Sequence, residues 1–186
     1  VDYSTLETIV DNYQADINAA AVFKFQSADD IAIDNDSDEL TAFLADIASN
    51  ALTLTNQTVT INSSLAISIA NARSIAADTT GIVTATIASS RVSDLTALRD
   101  PGTGINEENN WTITLHNDDA ANEVTAADLN TLNAATSATL NLNIITELKA
   151  SDLTDLTTFH SNRAQFSNTG NIATINLTDN GGAGTS

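Results

Sequence analysis

Two periods alternate along the chain. Trp111-Thr112-Ile113-Thr114-Leu115 places an apolar residue at every second position, a polar corner follows at 117–122, and Asp128-Leu129-Asn130-Thr131-Leu132 then begins a helical spacing. Ala138 to Ile144 restarts the cycle. Ala138, Leu140, Leu142 and Ile144 fall on one side and Thr139, Asn141 and Asn143 on the other, after which Ser151 to Leu156 repeats the helical phrase. A period of two, then one near 3.6, then two again marks a strand-plus-helix unit used more than once.

The same pattern extends upstream. Ser4 is the expected N-cap of a helix running through Leu6, Ile9, Val10, Tyr13 and Ile17. Ala21 to Phe25 alternates as a strand with Phe23 and Phe25 inward and Lys24 outward. An acidic corner, Asp29-Asp30 and then Asp34 to Glu39, leads into a second helix marked by Leu40, Phe43, Leu44 and Ile47; acidic residues in a first turn suit the positive end of the helix dipole. Leu52 to Thr55 and Thr58 to Ile61 read as one extended region broken by a bulge at Asn56-Gln57. A helix is predicted over Leu65 to Ala77 with Thr79-Thr80-Gly81 as its stop, then a strand at Val83 to Ile87 and a helix from Asp94. Pro101 ends that helix and opens a loop to Asn110, His160 to Gly170 reads as a second loop, and Ile172 to Leu177 is the last strand before a flexible Gly-rich tail at 179–186.

These elements make about six helix-strand pairs spaced by roughly 25 to 35 residues, the range of solenoid repeats. Asp-Leu-x-x-Leu recurs at 94–98, 128–132 and 152–156, with both leucines on one helical face. Val92, Val124 and Leu148 sit before three of the helices and leave room for a second, shorter strand in each coil. The predicted fold class is α/β: a single right-handed solenoid over 1–178, built of strand-plus-helix repeats with a parallel sheet.

Composition narrows what such a chain could do. Of the 186 residues 42% are hydrophobic but only 4% aromatic, so the core must be aliphatic. The formal net charge of −18 argues against nucleic acid and anionic membrane surfaces, which need basic footprints. That charge is best tolerated in a saline or calcium-rich medium, where screening is short-ranged. With no Cys there is no disulfide framework and no thiolate chemistry; stacked coils can do without such staples, because each is buttressed by its neighbours. No apolar run of transmembrane length occurs in this segment.

The phrases Val124 to Ser137 and Asp78 to Ile87 resemble repeats of giant cell-surface proteins of marine unicellular cyanobacteria, long Cys-poor chains rich in Thr and Asp, one of them implicated in flagellum-independent swimming. The resemblance spans Leu65 to Leu156. It implies an extracellular or cell-surface location and a structural role, and it brings no catalytic residues with it.

Candidate chemistry is sparse. His116 and His160 are the two histidines, a full repeat apart, and no nucleophile elbow, phosphate loop or zinc spacing accompanies them, so no enzyme activity is expected. Asp34, Asp36 and Asp38 alternate on a corner and could converge oxygen ligands on Ca²⁺. The EF-hand pattern fails, because Glu39 stands where Gly is required and Ala45 occupies the twelfth position; the competing reading is a solvated, helix-capping corner. Thr-x-Thr pairs at 53/55, 58/60, 84/86 and 112/114 would suit an ice-binding array if stacked on one sheet, but Thr is also normal on the wet face of a strand. Asn-x-Ser/Thr triplets start at Asn56, Asn62, Asn110 and Asn176, as expected by chance in a chain this rich in Asn and Thr. Trp111 is expected to anchor the core.

The function expected is therefore a structural repeat segment of a large secreted or cell-surface protein, serving as stalk, coat, filament or adhesin spacer. Its partners would be neighbouring repeats or like subunits end to end. The alternative is a carbohydrate- or surface-binding module using the loops at 100–110 and 160–170, with ice binding a weaker variant.

Overall fold

The computed structural model describes residues 1–16, 22–25, 30–34, 37–99, 108–116 and 124–178. Ile17, Ala21, Asp29, the corner at 117–122, most of the predicted 100–110 loop and the 179–186 tail lie outside them. The fold is mixed α/β with parallel sheets. It divides into two compact units, 1–88 with 100–112, and 89–99 with 113–186.

In the first unit, α1 (Tyr3–Asp16), β1 (Phe23–Lys24), β2 (Asp30–Ile33), α2 (Ser37–Ala48), β3 (Leu52–Thr53), β4 (Thr58–Ile61), β5 (Ala66–Ile67) and α3 (Ile69–Asp78) follow in order, and β6 (Val83–Ser90) begins there. Two parallel layers form. Phe23 lies opposite Leu52 in a short β1–β3 pair, while Ile31 faces Val59 and Thr60 faces Thr84 in the longer β2–β4–β6 sheet. In both cases the short strand precedes a longer one in a different sheet. Short second strands exist, but β1 follows α1 and β3 follows α2, while β5 precedes α3.

That corrects the reading of 52–61 as one bulged strand. Leu52-Thr53 and Thr58 to Ile61 belong to different sheets, and Gln57 is the corner between them, fully buried, with its Oε1 accepting from Thr55 N at 2.7 Å. Thr79 Oγ1 then donates to Gln57 O at 2.6 Å, tying the end of α3 to the same corner. The strand β2 was missed altogether in the acidic corner, where Ile31 and Ile33 are buried between exposed Asp30 and Asp34.

Helix starts also shift. α1 begins at Tyr3, with Asp2 Oδ1 accepting from Ser4 N at 2.9 Å and from Ser4 Oγ at 2.8 Å, so Asp2 rather than Ser4 satisfies the first turn. Those two bonds, the hydroxyl's first, hold the Asp2 carboxyl below its ordinary range. Leu65 to Ile67 are turn and strand, and α3 starts after Ser68, whose hydroxyl accepts from Asn71 N at 3.1 Å. β5 pairs with the later part of β6, at Thr86 and Ile87, while β4 pairs with its start. β4 and β5 are thus laid in succession along the one longer strand β6.

The second unit contains α4 (Val92–Leu95) with a 3-10 turn at Thr96–Leu98, α5 (Ala126–Asn133), β8 (Leu140–Asn141), β9 (Glu147–Ser151), α6 (Leu153–Ser161), β10 (Phe166–Ser167) and β11 (Thr174–Leu177). The strand between α4 and α5, β7 (Asn110–Leu115), pairs with β6. Its alternation is as predicted: Trp111, Ile113 and Leu115 are buried and the residues between them exposed. α5 opens with a capping box in which Thr125 Oγ1 accepts from Asp128 N while Thr125 N donates to Asp128 Oδ2, at 3.1 and 3.2 Å.

The two-layer passage recurs here. Leu140 lies opposite Phe166 in the β8–β10 pair, and Leu148 opposite Ile175 in the β9–β11 pair, all parallel. Ala138 to Ile144 is therefore not one strand; it turns at Asn143-Ile144 and re-enters as β9. The predicted loop 160–170 likewise contains β10, with Phe166 buried and Asn168 in the left-handed region at φ 59°. Of the residues proposed to start second strands, Leu148 lies in β9, Val92 opens α4, and Val124 is outside any strand.

Candidate functional site

His116 is exposed at the end of β7, where its N donates to Ser90 O at 3.2 Å, and His160 is exposed in the last turn of α6. Of the candidate calcium residues, Asp34 is exposed at the end of β2 and Asp38 is exposed in the first turn of α2, while Asp36 lies outside the described residues. Among the described residues no group of three or more His, Cys, Asp or Glu is placed to hold a metal ion.

The residue that organises this corner is one that sequence reading treated as a dipole partner only. Glu39 is 7% exposed, its Oε1 accepting from Ser4 N at 2.9 Å and its Oε2 from Asp34 N at 3.0 Å. Both oxygens are thereby committed to the backbone of the α1 start and the β2 end. A buried carboxylate in a first turn has to find such donors, and that requirement was the available signal.

The most regular chemistry on the molecule is lateral. Thr58 Oγ1 donates to Asp30, 28 residues earlier. Asn168 Nδ2 donates to Asn141 Oδ1 at 2.7 Å, 27 residues apart, and Asn171 Nδ2 to Asn143 O at 2.9 Å, 28 apart. Asn176 Nδ2 reaches Glu147 Oε1 across 29 residues, and Lys149 Nζ lies 2.8 Å from Glu147 Oε2. The lysine's hydrogen bond first, and the asparagine's second, hold the Glu147 carboxyl below its ordinary range. On the helical side Asn130 Nδ2 donates to Asp155 O at 2.9 Å, 25 residues on, and Ala126 N donates to Ser151 Oγ at the same separation. Side chains thus link segments 25 to 29 residues apart, Thr58 in the first unit and Asn130, Asn168, Asn171 and Asn176 in the second.

The Thr-x-Thr pairs do not form one array. Thr53 is in the short sheet beside Lys24, Thr55 is in a turn, and Thr60 with Thr84 is in the long sheet. Residues 166–171 are joined to residues 140–143 by the β8–β10 pair and by Asn168 and Asn171.

Exposed apolar side chains are concentrated at two places. In the first unit they are Val1, Ile9, Tyr13 and Val22, all in or beside α1 and β1, together with Ile82; in the second they are Leu153 of α6 and Ile175 and Leu177 of β11. Among the described residues no helix is long and apolar enough to cross a membrane.

No protein-family model, curated protein or solved structure matches this chain.

Proposed function

We propose that the chain is a structural repeat segment of a large secreted or cell-surface protein, a spacer whose work is to propagate a stack of coils. The observation that carries this is the lateral ladder: hydrogen bonds join residues 25 to 29 apart in both units, the separation expected if each turn of a right-handed solenoid is stitched to the next. Parallel strand pairs in the short and long sheets join residues 24 to 29 apart, with β5 and β6 paired at 20. The strongly acidic surface keeps such a stack soluble, and a Cys-free aliphatic core suits a long array in which every coil is supported by its neighbours. The likeness of 78–87 and 124–137 to repeats of giant cyanobacterial surface proteins supports the same role and an extracellular setting.

The test is to duplicate residues 125–151 in frame after Ser151. Those residues run from the cap of α5, Thr125, to the residue before the cap of α6, Asp152, so an added copy enters in phase. The expected product is a folded chain with one cooperative transition, whose longest dimension in small-angle scattering grows by about 4.8 Å, the spacing of one strand. An inserted copy that melts separately, or leaves the longest dimension unchanged, defeats the reading.

A further inference from the structure

We infer that the side chains of Lys149 and Asn176 condense into an amide, with Glu147 carrying the protons, so that β9 and β11 become covalently joined. The starting point is one side-chain link that differs from the others. The side-chain amides of Asn130, Asn168 and Asn171 donate to another amide or to a backbone carbonyl. That of Asn176 donates instead to a carboxylate oxygen, Glu147 Oε1, while the second oxygen of the same carboxylate lies 2.8 Å from an amine, Lys149 Nζ. A nucleophile, a base and a carboxamide are thereby gathered around one group.

The strands put them there. Glu147 and Lys149 are two apart on β9 and share a face, with Leu148 between them pointing the other way and fully buried. Thr174 lies opposite Glu147 and Ile175 opposite Leu148, and the register then shifts before Leu177 meets Ser151. Asn176 therefore comes to lie beside Lys149, on the face that carries Glu147. The Lys149 and Glu147 side chains are 38% and 33% exposed, covered enough to be held and open enough for a small leaving group to depart.

An amine activated by an adjacent carboxylate is the arrangement that nucleophilic attack on a carbonyl carbon needs. Glu147 takes a proton from the Lys149 ammonium, and Nζ adds to Cγ of Asn176. The bond from Cγ to Nδ2 then breaks as the new bond from Nζ to Cγ is kept. The two protons that Nζ gives up reach Nδ2 by way of Glu147, so ammonium leaves and the carboxylate is regenerated. One positive charge is lost from Lys149 and one is released, and no oxidant or reductant takes part. Well-placed partners on one scaffold react as though at concentrations on the order of 10⁵ M or more, and the released ammonium is lost to the solvent, which draws the step forward.

Mass spectrometry of the purified chain tests this, on fresh protein and after long incubation in alkaline buffer, where amines give up their proton. The intact mass is expected to fall short of the sequence mass by one ammonia. Trypsin does not cut after an acylated lysine, and Arg163 is the basic residue between the two partners, so the digest is expected to contain residues 100–163 joined to 164–186. Lys149→Arg and Asn176→Ala are expected to keep the full mass, and Asn176→Asp to lose water instead of ammonia. Glu147→Gln is expected to slow the reaction by roughly a hundredfold or more. A parent chain that keeps its full mass after incubation overturns the inference. So does an ammonia loss that persists in Lys149→Arg, since it would mark an asparagine that has cyclised on its own backbone. None of these readouts bears on the length of the 125–151 duplication, so the stacked-coil reading stands or falls separately.

Discussion

A Cβ placed on Gly81 would lie 2.1 Å from the carbonyl oxygen of Gln57. The neighbouring atoms are backbone, Asn56 O among them at 2.9 Å, so nothing can swing aside. The Asn56-Gln57 corner is seated directly on the turn that ends α3. Gly81→Ala is expected to destabilise the fold by about 1–3 kcal/mol, as overpacking does, with a lowered urea midpoint and little change in slope. An Ala variant as stable as the parent would show that the two corners separate freely.

The contrast between Leu129 and Leu153 makes a paired prediction. Leu129→Ala removes a fully buried side chain and is expected to cost about 2–5 kcal/mol; Leu153→Ala, at a largely exposed position of the same motif, should cost less than about 0.5 kcal/mol in the monomer. Urea unfolding at low protein concentration measures both. Equal costs would mean that both helices are covered alike.

Glu39→Ala leaves Asp34 N without its acceptor and takes one of two acceptors from Ser4 N, which Asp2 also serves. The expected loss is about 1–3 kcal/mol. Glu39→Gln keeps one acceptor oxygen and should lose less. Amide exchange would localise the effect: Asp34 and the first turn of α1 are expected to open first in both variants.

Tyr3 provides a pH prediction. Its ring is fully buried, edge-on to Phe43 at 5.0 Å between centroids, and its hydroxyl donates to Asp46 Oδ2 at 2.6 Å. Burial first, and the bond to Asp46 second, push its ionisation far above the ordinary tyrosine range. In the unfolded chain the phenol loses its proton near pH 10. Above that pH the native state holds more protons than the unfolded one, so stability falls as pH rises. Tyr3→Phe should flatten this alkaline limb of a stability-pH curve while costing about 0.5–1.5 kcal/mol at neutral pH for the lost hydrogen bond. An unchanged alkaline limb would place the titration elsewhere.

Legibility in the sequence followed element length. Val83 to Ile87 and Trp111 to Leu115 are long enough for alternation to show, and in α2 the spacing of Phe43 and Ile47 matches their burial. The two-residue strands β1, β3, β8 and β10 carry no period of their own; their partner strands, 29 and 26 residues away, define them. Phe166 therefore disappeared into a predicted loop, and Ile31 with Ile33 into an acidic run. Gln57 looked like a bulge because a side chain that caps its own corner is written the same way as one that faces water. The Asp-Leu-x-x-Leu motif located its helices correctly but could not separate a covered face from an open one, since that depends on what lies beside the coil. Asp34 and Asp38 were visible as carboxylates, whereas the role of Glu39 needed the fold, because its donors come from residues 5 and 35 positions away.

The sideways stitching also determines how the molecule tolerates being cut. Neighbouring passes are joined by rungs such as Asn141–Asn168 and by paired strands, so their attachment does not run through the peptide bonds of the turns between them. A protease that clips the turn at Asn143-Ile144 would leave both pieces clasped together under native conditions. Cleavage there costs a peptide bond and spares the contacts that hold the unit together.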